Sequence, residues 1–349
     1  MYYSITHRLR WRNGRRTRLK IAQGNLVRVQ VPLSAQMADI KKPKIITVLG
    51  PTAIGKSDLA VAISLFLKDQ GLASEIISAD SRQVYKHLDL GTGKITPDEM
   101  KGVPHHMLDV LEPSQEYSVF QYTEDSNKII DDLLSKNIIP IICGGTGLYI
   151  NALLFETKGA GAKQNPELRE SLERESLEYV QSELKVLAEK YNANISKIDI
   201  KNKRRVIRAI EIISELKYIP EIVINDKYEN IITGLETDYE ILQNRIQKRI
   251  DKRLDDGMIE EVENLLKENK ITHERLQKLG LEYKFISDYL TGILTLDEFK
   301  EKLYFAICHY AKRQKTWFKN NKELKEKIVW FDTKNDYISE VEKFIQTSI

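Results

Sequence analysis

Short, continuous apolar runs rich in β-branched residues recur at 44–49 (KIITVL), 75–79 (EIISA), 138–143 (IIPIIC) and 230–235 (NIITGL), with a shorter one at 105–110 (HHMLDV). Runs of this length without strict alternation predict strands covered on both faces. Between them, SDLAVAISLFLKD (57–69) and FQYTEDSNKIIDDLLSK (120–136) place apolar residues at helical spacing. Strand and helix in alternation predict an α/β fold, a parallel sheet flanked by helices. Residues 166–220 break the rhythm, because PELRESLERESLEYVQSELKVLAEKY and KRRVIRAIEIISEL are charged helical stretches with no strand between them. They predict an inserted all-helical subdomain at 161–220, leaving 37–160 and 221–349 as one core. Further helices are expected over 238–268, 274–290 and 296–320, and a last strand at 328–332 (IVWFD).

Composition narrows the class. With 349 residues, 42% of them hydrophobic, the chain can bury a large core. No apolar stretch approaches the roughly 20 residues of a membrane-spanning helix. Cys143 and Cys308 are far apart and lack a C-x-x-C partner, which fits neither a disulfide framework nor a zinc site and points to a reducing, cytoplasmic setting. The adjacent His105 and His106 diverge if they lie on a strand, and read as structural. The net charge of +3 is unevenly spread. Arginines 8, 10, 12, 15, 16, 18 and 28 crowd the first 36 residues, and the first acidic residue is Asp39. Three readings stand for 1–36: a start-site artefact with Met37 as the true start, a disordered basic arm for nucleic acid, or an organelle transit peptide.

The strongest chemical signal is GPTAIGKS, made of Gly50, Pro51, Thr52, Ala53, Ile54, Gly55, Lys56 and Ser57. It matches G-x-x-x-x-G-K-[ST] between an expected strand and an expected helix, the context of a P-loop. Its glycines let backbone N–H groups turn inward around phosphate oxygens, and the helix aims its positive end at the same point. Lys56 adds a point charge, and the Ser57 hydroxyl suits Mg²⁺. The fold class is therefore P-loop NTPase-like. The loop alone would suggest a kinase or another nucleotide-binding, ATP-binding protein.

A second segment, ADSRQVYKHLDLGTGK at 79–94, begins at the carboxyl end of the second strand, on the sheet edge that carries the glycine loop. Asp80 thus points into the same crevice. Spacing alone leaves it as a Mg²⁺ ligand or a helix cap.

GPTAIGKS, DSRQVYKHLDLGTGK, HHMLDVLEPSQEYSVFQY, GGTGLYINALL and YAKRQKTWF, in that order, resemble the tRNA dimethylallyltransferase (tRNA isopentenyltransferase) family from about Lys44 to about Asp332. The resemblance implies that the loop holds the diphosphate of dimethylallyl diphosphate. It implies transfer of the dimethylallyl group to the N6 amine of the adenosine 3′-adjacent to the anticodon, with Mg²⁺ as cofactor. By the same resemblance Asp80 is the base that takes the amine's proton. Thr52 lies near the reacting centre, and an arginine on NRIQKRIDKRLDDGMIEEV, aligned to Arg249, is a second diphosphate contact. Arg245 and Arg253 lie one turn to either side on the same face, so the choice among the three stays open.

A base in an anticodon loop must leave its stack before its amine can reach a buried carbon. The inserted helices suit the task of gripping the stem. The resemblance marks Asp80, Ser81, Arg82, Gln83, Thr146, Arg169, Arg204, Arg205 and Arg208 as tRNA contacts, and YAKRQKTWFKNNK at 310–322 offers further basic residues, with Trp317 and Phe318 expected in the core. The chain departs from the family pattern at Cys308 and His309, at Lys201 and Asn202, at Asp238 and Tyr239, and in a shorter insert. With no C-terminal zinc finger, a bacterial type acting as a monomer is expected. The alternatives are an adenylate isopentenyltransferase acting on free AMP, ADP or ATP, which needs no such insert, and a P-loop small-molecule kinase.

Overall fold

The computed structural model describes residues 18–22, 25–29, 42–157 and 162–349. Within the basic N-terminal stretch, β1 (Arg18–Ala22) and β2 (Asn25–Val29) pair antiparallel, from Arg18 opposite Val29 to Ala22 opposite Asn25. In RLKIA the apolar Leu19 and Ile21 alternate with basic residues, the period-two pattern of a strand. The other residues of 1–36, and the start at Met37, lie outside the described residues.

From Lys44 onward the chain is a second unit. β3 (Lys44–Leu49), α1 (Lys56–Asp69), β4 (Ser74–Ser78), the single turn α2 (Pro97–Met100), β5 (His105–His106), α3 (Val119–Ser135), β6 (Ile139–Gly144) and α4 (Gly147–Leu154) make its first half. β7 (Phe155–Thr157) leads to α5 (Pro166–Arg174), α6 (Leu177–Tyr191) and α7 (Lys203–Leu216), and β8 (Ile222–Ile224) leads back. The rest is β9 (Glu229–Glu236), α8 (Tyr239–Asp255), α9 (Met258–Lys267), α10 (His273–Leu279), α11 (Leu281–Leu290), α12 (Leu296–Asn320), β10 (Ile328–Asp332) and α13 (Tyr337–Ser348).

Six strands form one sheet in the order β10-β9-β3-β6-β4-β5, every neighbour parallel. Successive residues of β3 feed opposite faces. Ile46 and Val48 join a core with α1, α8 to α13, while Ile45 and Leu49 join a second with α3 and α4. This two-sided burial is why the strands read as continuous apolar runs. β3 is the pivot: β6, β4 and β5 lie to one side of it, β9 and β10 to the other, so its carboxyl end opens at a topological switch point.

Several expectations differ in detail. The run at 105–110 is a strand only over His105 and His106, because Met107 (φ 63°) and Asp109 (φ 53°) turn the chain. The helix expected over 238–268 breaks at Gly257 (φ 97°) and that over 274–290 at Gly280 (φ 75°). β7 and β8 pair antiparallel at the root of the helical insert, whose helices bury Leu172, Val180, Leu184, Val206, Ile210 and Ile213 in a small core of their own. Among the described residues no helix is long and apolar enough to cross a membrane.

Candidate active site

The glycine loop links β3 to α1 with the backbone its sequence demands. Gly50 has φ 153°, and a Cβ there would meet the Leu235 carbonyl oxygen at 2.9 Å. Gly55 starts α1 at φ 101°. Ala53 to Asp58 line a cavity of about 600 Å³, completed by Asp89, Leu90 and Gly93 to Ile95, by Arg245, Arg249 and Arg253 of α8, and by Tyr337 of α13. Pro51 is buried, and Thr52 sits inward of this cavity with Arg249 Nη1 3.5 Å from its hydroxyl.

Lys56 donates to the Pro51 carbonyl at 2.8 Å. Burial, helped by the Arg249 charge, pushes its pKa down to about 8. An unfolded lysine titrates near about 10.4, so between about pH 8 and 10.4 the unfolded chain binds more protons and this group's contribution to stability rises with pH. Anion binding runs the other way, because it needs the ammonium. Pyrophosphate affinity is expected to fall above about pH 8, with proton uptake on binding at pH 8.5. Calorimetry in two buffers of different ionisation enthalpy measures this, and no uptake would remove Lys56 from the anion site.

The three candidate arginines of α8 now separate. Arg245 is spent on the loop itself, donating to the Ile54 carbonyl (3.2 Å) and the Thr333 hydroxyl (3.0 Å). Arg249 faces Thr52, and burial pulls its pKa below the usual arginine range. Arg253 donates to the Gly91 carbonyl at 3.3 Å and lies 3.6 Å from Glu282. The loop opposite is fixed by Glu261, which accepts backbone N–H bonds from Asp89, Leu90 and Gly91 at 2.9, 2.7 and 3.4 Å.

Asp80 emerges two residues after β4. Its Oδ1 accepts the Arg82 N–H at 2.9 Å, and its charge is felt by Lys56, Arg249 and Glu282. The Ser81 N–H donates to the Thr146 hydroxyl at 3.2 Å. Arg82 and Gln83 turn inward as braces, Arg82 Nε to the Leu279 carbonyl (2.9 Å) and Gln83 between Ser78 (3.1 Å) and the Gly93 carbonyl (3.3 Å). The segment GGTG packs as closely as its glycines allow: a Cβ at Gly144 would lie 2.3 Å from the Ala79 carbonyl oxygen, and one at Gly147 2.5 Å from the Trp317 ring.

One residue joins the two halves. Buried Gln314 of α12 accepts the Thr52 N–H and donates to the Gly145 carbonyl, both at 2.8 Å. Only an amide offers an acceptor and a donor at this spacing. Gln314→Leu leaves two backbone groups unpaired, at about 1–3 kcal/mol each. It should also cut kcat by roughly 10²-fold through misplacement, with little change in either KM. A lower Tm with unchanged kcat would reduce Gln314 to a stability role.

The insert's cations divide as well. Arg169 (2.8 Å) and Arg208 (3.0 Å) both bind the enclosed carboxylate of Glu211. Burial alone would raise the Glu211 pKa, but the hydrogen bonds from Arg208, the Asn165 N–H and Arg169 outweigh it and hold it low. Arg205 is exposed and paired with Asp199 at 3.1 Å, and Arg204 is exposed beside it. His105 bonds the Val103 carbonyl and His106 bonds Glu75, two divergent partners. Phe318 is fully buried and Trp317 half-buried.

No three His, Cys, Asp or Glu side chains converge on a metal position among the described residues. The Ser57 hydroxyl, beside Asp58, lies on the cavity wall, whose lining also carries Asp89, Glu99 and Asp256. That fits a hard ion carried largely by phosphate oxygens and water, as Mg²⁺ is, and does not fit a caged metal.

The IPP transferase family model matches residues 83–321. The chain is 39% identical over 297 residues to tRNA dimethylallyltransferase 1 of Parabacteroides distasonis, covering 84% of this chain and 94% of the relative. It is 43% identical over 292 residues to tRNA dimethylallyltransferase 2 of Treponema denticola, covering 82% and 94%. The crystal structure of the tRNA isopentenylpyrophosphate transferase of Bacillus halodurans superposes with a TM-score of 0.64 at 34% identity, covering 88% of this chain and 96% of that one. A eukaryotic dimethylallyltransferase acting on tRNA superposes with a TM-score of 0.72 at 25% identity, covering 87% and 80%.

Proposed function

Because this chain belongs to the IPP transferase family, we infer that it transfers the dimethylallyl group of dimethylallyl diphosphate to the N6 amine of the adenosine 3′-adjacent to the anticodon in tRNA, releasing diphosphate. The observation that carries the reading is the Gln314 bridge, which fixes the phosphate cradle and the Asp80–Thr146 side in one frame. A leaving group and an acceptor must meet across such a frame.

The diphosphate lies in the cavity of the glycine loop, against the loop's N–H groups, Lys56 and Arg249. As the allylic C–O bond breaks, negative charge grows on the departing oxygens and positive charge on the allyl carbon, and fixed donors at the first of these lower the barrier. Ser57 would hold Mg²⁺, which would supply charge neutralisation on that leaving group. Thr52 marks the boundary between cradle and acceptor. The adenine amine attacks the allyl carbon, and Asp80 takes its proton, a contribution of roughly 10²- to 10⁴-fold.

A macromolecular acceptor accounts for the insert, which has its own core and exposes Arg204 and Arg205. Their charge suits phosphate contacts to an anticodon stem. Arg169 and Arg208 reach tRNA only with the charge that Glu211 leaves them. The test is one incubation with radiolabelled dimethylallyl diphosphate and Mg²⁺, offering unmodified tRNA and AMP together. Label in tRNA alone supports the reading, label in AMP moves the acceptor to free nucleotide, and label in neither overturns prenyl transfer.

A further inference from the structure

The loop LDLGTGK at 88–94 stands between the two halves of the site, and its shape is set from within. The Gly93 N–H donates to the Leu90 carbonyl (3.1 Å), the Lys94 N–H to the Asp89 carbonyl (3.0 Å) and the Thr92 hydroxyl to the Leu88 carbonyl (2.6 Å). A loop closed on itself in this way moves as a body, so its place depends on what seats it. On one side Leu90, Gly93 and Lys94 line the cavity of the glycine loop. On the other, the Gly93 carbonyl accepts from Gln83 at 3.3 Å, and Gln83 in turn accepts from Ser78 at the end of β4 at 3.1 Å. Asp80 follows Ser78 by two residues.

The seat is a carboxylate on a distant helix. Glu261 of α9 collects the N–H groups of three successive residues, Asp89 (2.9 Å), Leu90 (2.7 Å) and Gly91 (3.4 Å), together with the hydroxyl of buried Tyr283 of α11 (3.4 Å). Successive N–H groups that converge in this way form an anion nest, here filled by the protein's own side chain. Hydrogen bonds to an ionised acceptor are roughly twice as strong as neutral ones, so the charge is what holds the loop down. Solvation does not favour an anion at this point. Burial pushes the Glu261 pKa up, the like charge of Asp89 adds to the cost, and the three N–H bonds oppose both. The fit leaves no slack either, because a Cβ on Gly91 would lie 2.5 Å from the Tyr283 hydroxyl oxygen.

We propose that Glu261 is a positioning residue for prenyl transfer: its carboxylate is the internal anion that seats loop 88–94 between the donor cavity and the strand end carrying Asp80. This rests on the prenyl-transfer reading and goes beyond it, since Glu261 touches neither substrate. The Gln314 bridge joins cradle and acceptor through Thr52 and Gly145. Glu261 supplies a second tie, through Gly93 and Gln83, and with two ties the distance from leaving group to base is fixed against rotation as well as translation.

The test is steady-state transfer from dimethylallyl diphosphate to unmodified tRNA by the full-length protein, below the Tm of every variant compared. Glu261→Gln keeps the shape of the side chain and loses the charge. Its kcat should fall by roughly 10²-fold through misplacement, with both KM values kept. Glu261→Ala empties the nest, and added formate should restore part of its kcat while chloride at equal ionic strength does not. Wild-type kcat in Glu261→Gln, even with a lower Tm, reduces Glu261 to a stability role and overturns the proposal. A raised KM with kcat preserved overturns it too, because that is lost binding and not lost alignment. Formate that leaves the folded Glu261→Ala as slow as before overturns the internal anion. If Glu261→Gln does not fold, Glu261→Asp, whose carboxylate is drawn back from the loop, decides on the same split: lower kcat at unchanged KM supports the proposal, and wild-type kcat overturns it. In all of these outcomes the wild type still labels tRNA. A wild type that labels nothing overturns prenyl transfer itself, and the role of Glu261 with it.

Discussion

Asp80→Asn is expected to bind tRNA and pyrophosphate as the wild type does and to transfer the prenyl group roughly 10²- to 10⁴-fold more slowly. Asparagine is the informative replacement here, because one carboxylate oxygen already has a structural task. Oδ1 accepts the Arg82 N–H at 2.9 Å and closes the turn that follows β4. The amide keeps that acceptor and the turn. What it loses is the second oxygen as a proton acceptor, and with it the means to remove a proton from an amine whose lone pair is shared with the adenine ring. Single-turnover transfer on preformed protein–tRNA complex measures the chemical step directly. An unchanged rate constant would leave Asp80 a turn-former and nothing more.

Lys56→Met is the second large effect, a loss of about 10²- to 10³-fold in kcat of the kind seen when one stabilising donor is removed from a developing anion. Methionine keeps the length of the side chain and much of its apolar contact but removes the ammonium that now bonds the Pro51 carbonyl at 2.8 Å. A group that acts on the leaving diphosphate binds the transition state better than the ground state, so kcat must fall. A rise in KM for the prenyl donor with kcat preserved would instead assign Lys56 to uniform binding.

The inner strands β3, β4, β6 and β9 were legible because they are short apolar runs buried on both faces, as Ile45 and Ile46 of β3 show by entering opposite cores. Elements that depend on a partner far away in the chain were not. β7 and β8 are three residues each and find one another across the whole insert. The breaks at Gly257 and Gly280 needed a backbone angle, not a hydrophobic pattern, and α13 follows the last recognised motif, although Val341 and Ile345 carry its buried face. The same division holds at the site. GPTAIGKS is contiguous, so its backbone mechanism can be read from eight letters. Gln314 and Glu261 act on residues 169 or more positions away, and nothing local distinguishes them from other polar helix residues. Proximity adds what spacing could not give: Arg245 bonds Ile54 and Thr333, while Arg249 faces Thr52.

The pairing of β7 with β8 has a consequence for how such a chain can change. Residues 155–157 enter the helical insert and 222–224 leave it as neighbours in a ladder, a strand spacing of about 4.8 Å apart. The core thus sees the insert as a closed loop on a fixed stalk, and its own sheet and cradle have the same end points whatever the loop contains. Excising the three helices and rejoining β7 to β8 by a hairpin turn should leave a minimal protein with the catalytic floor intact. In such a molecule, the grip on the RNA and the chemistry on the base become separable, exchangeable parts.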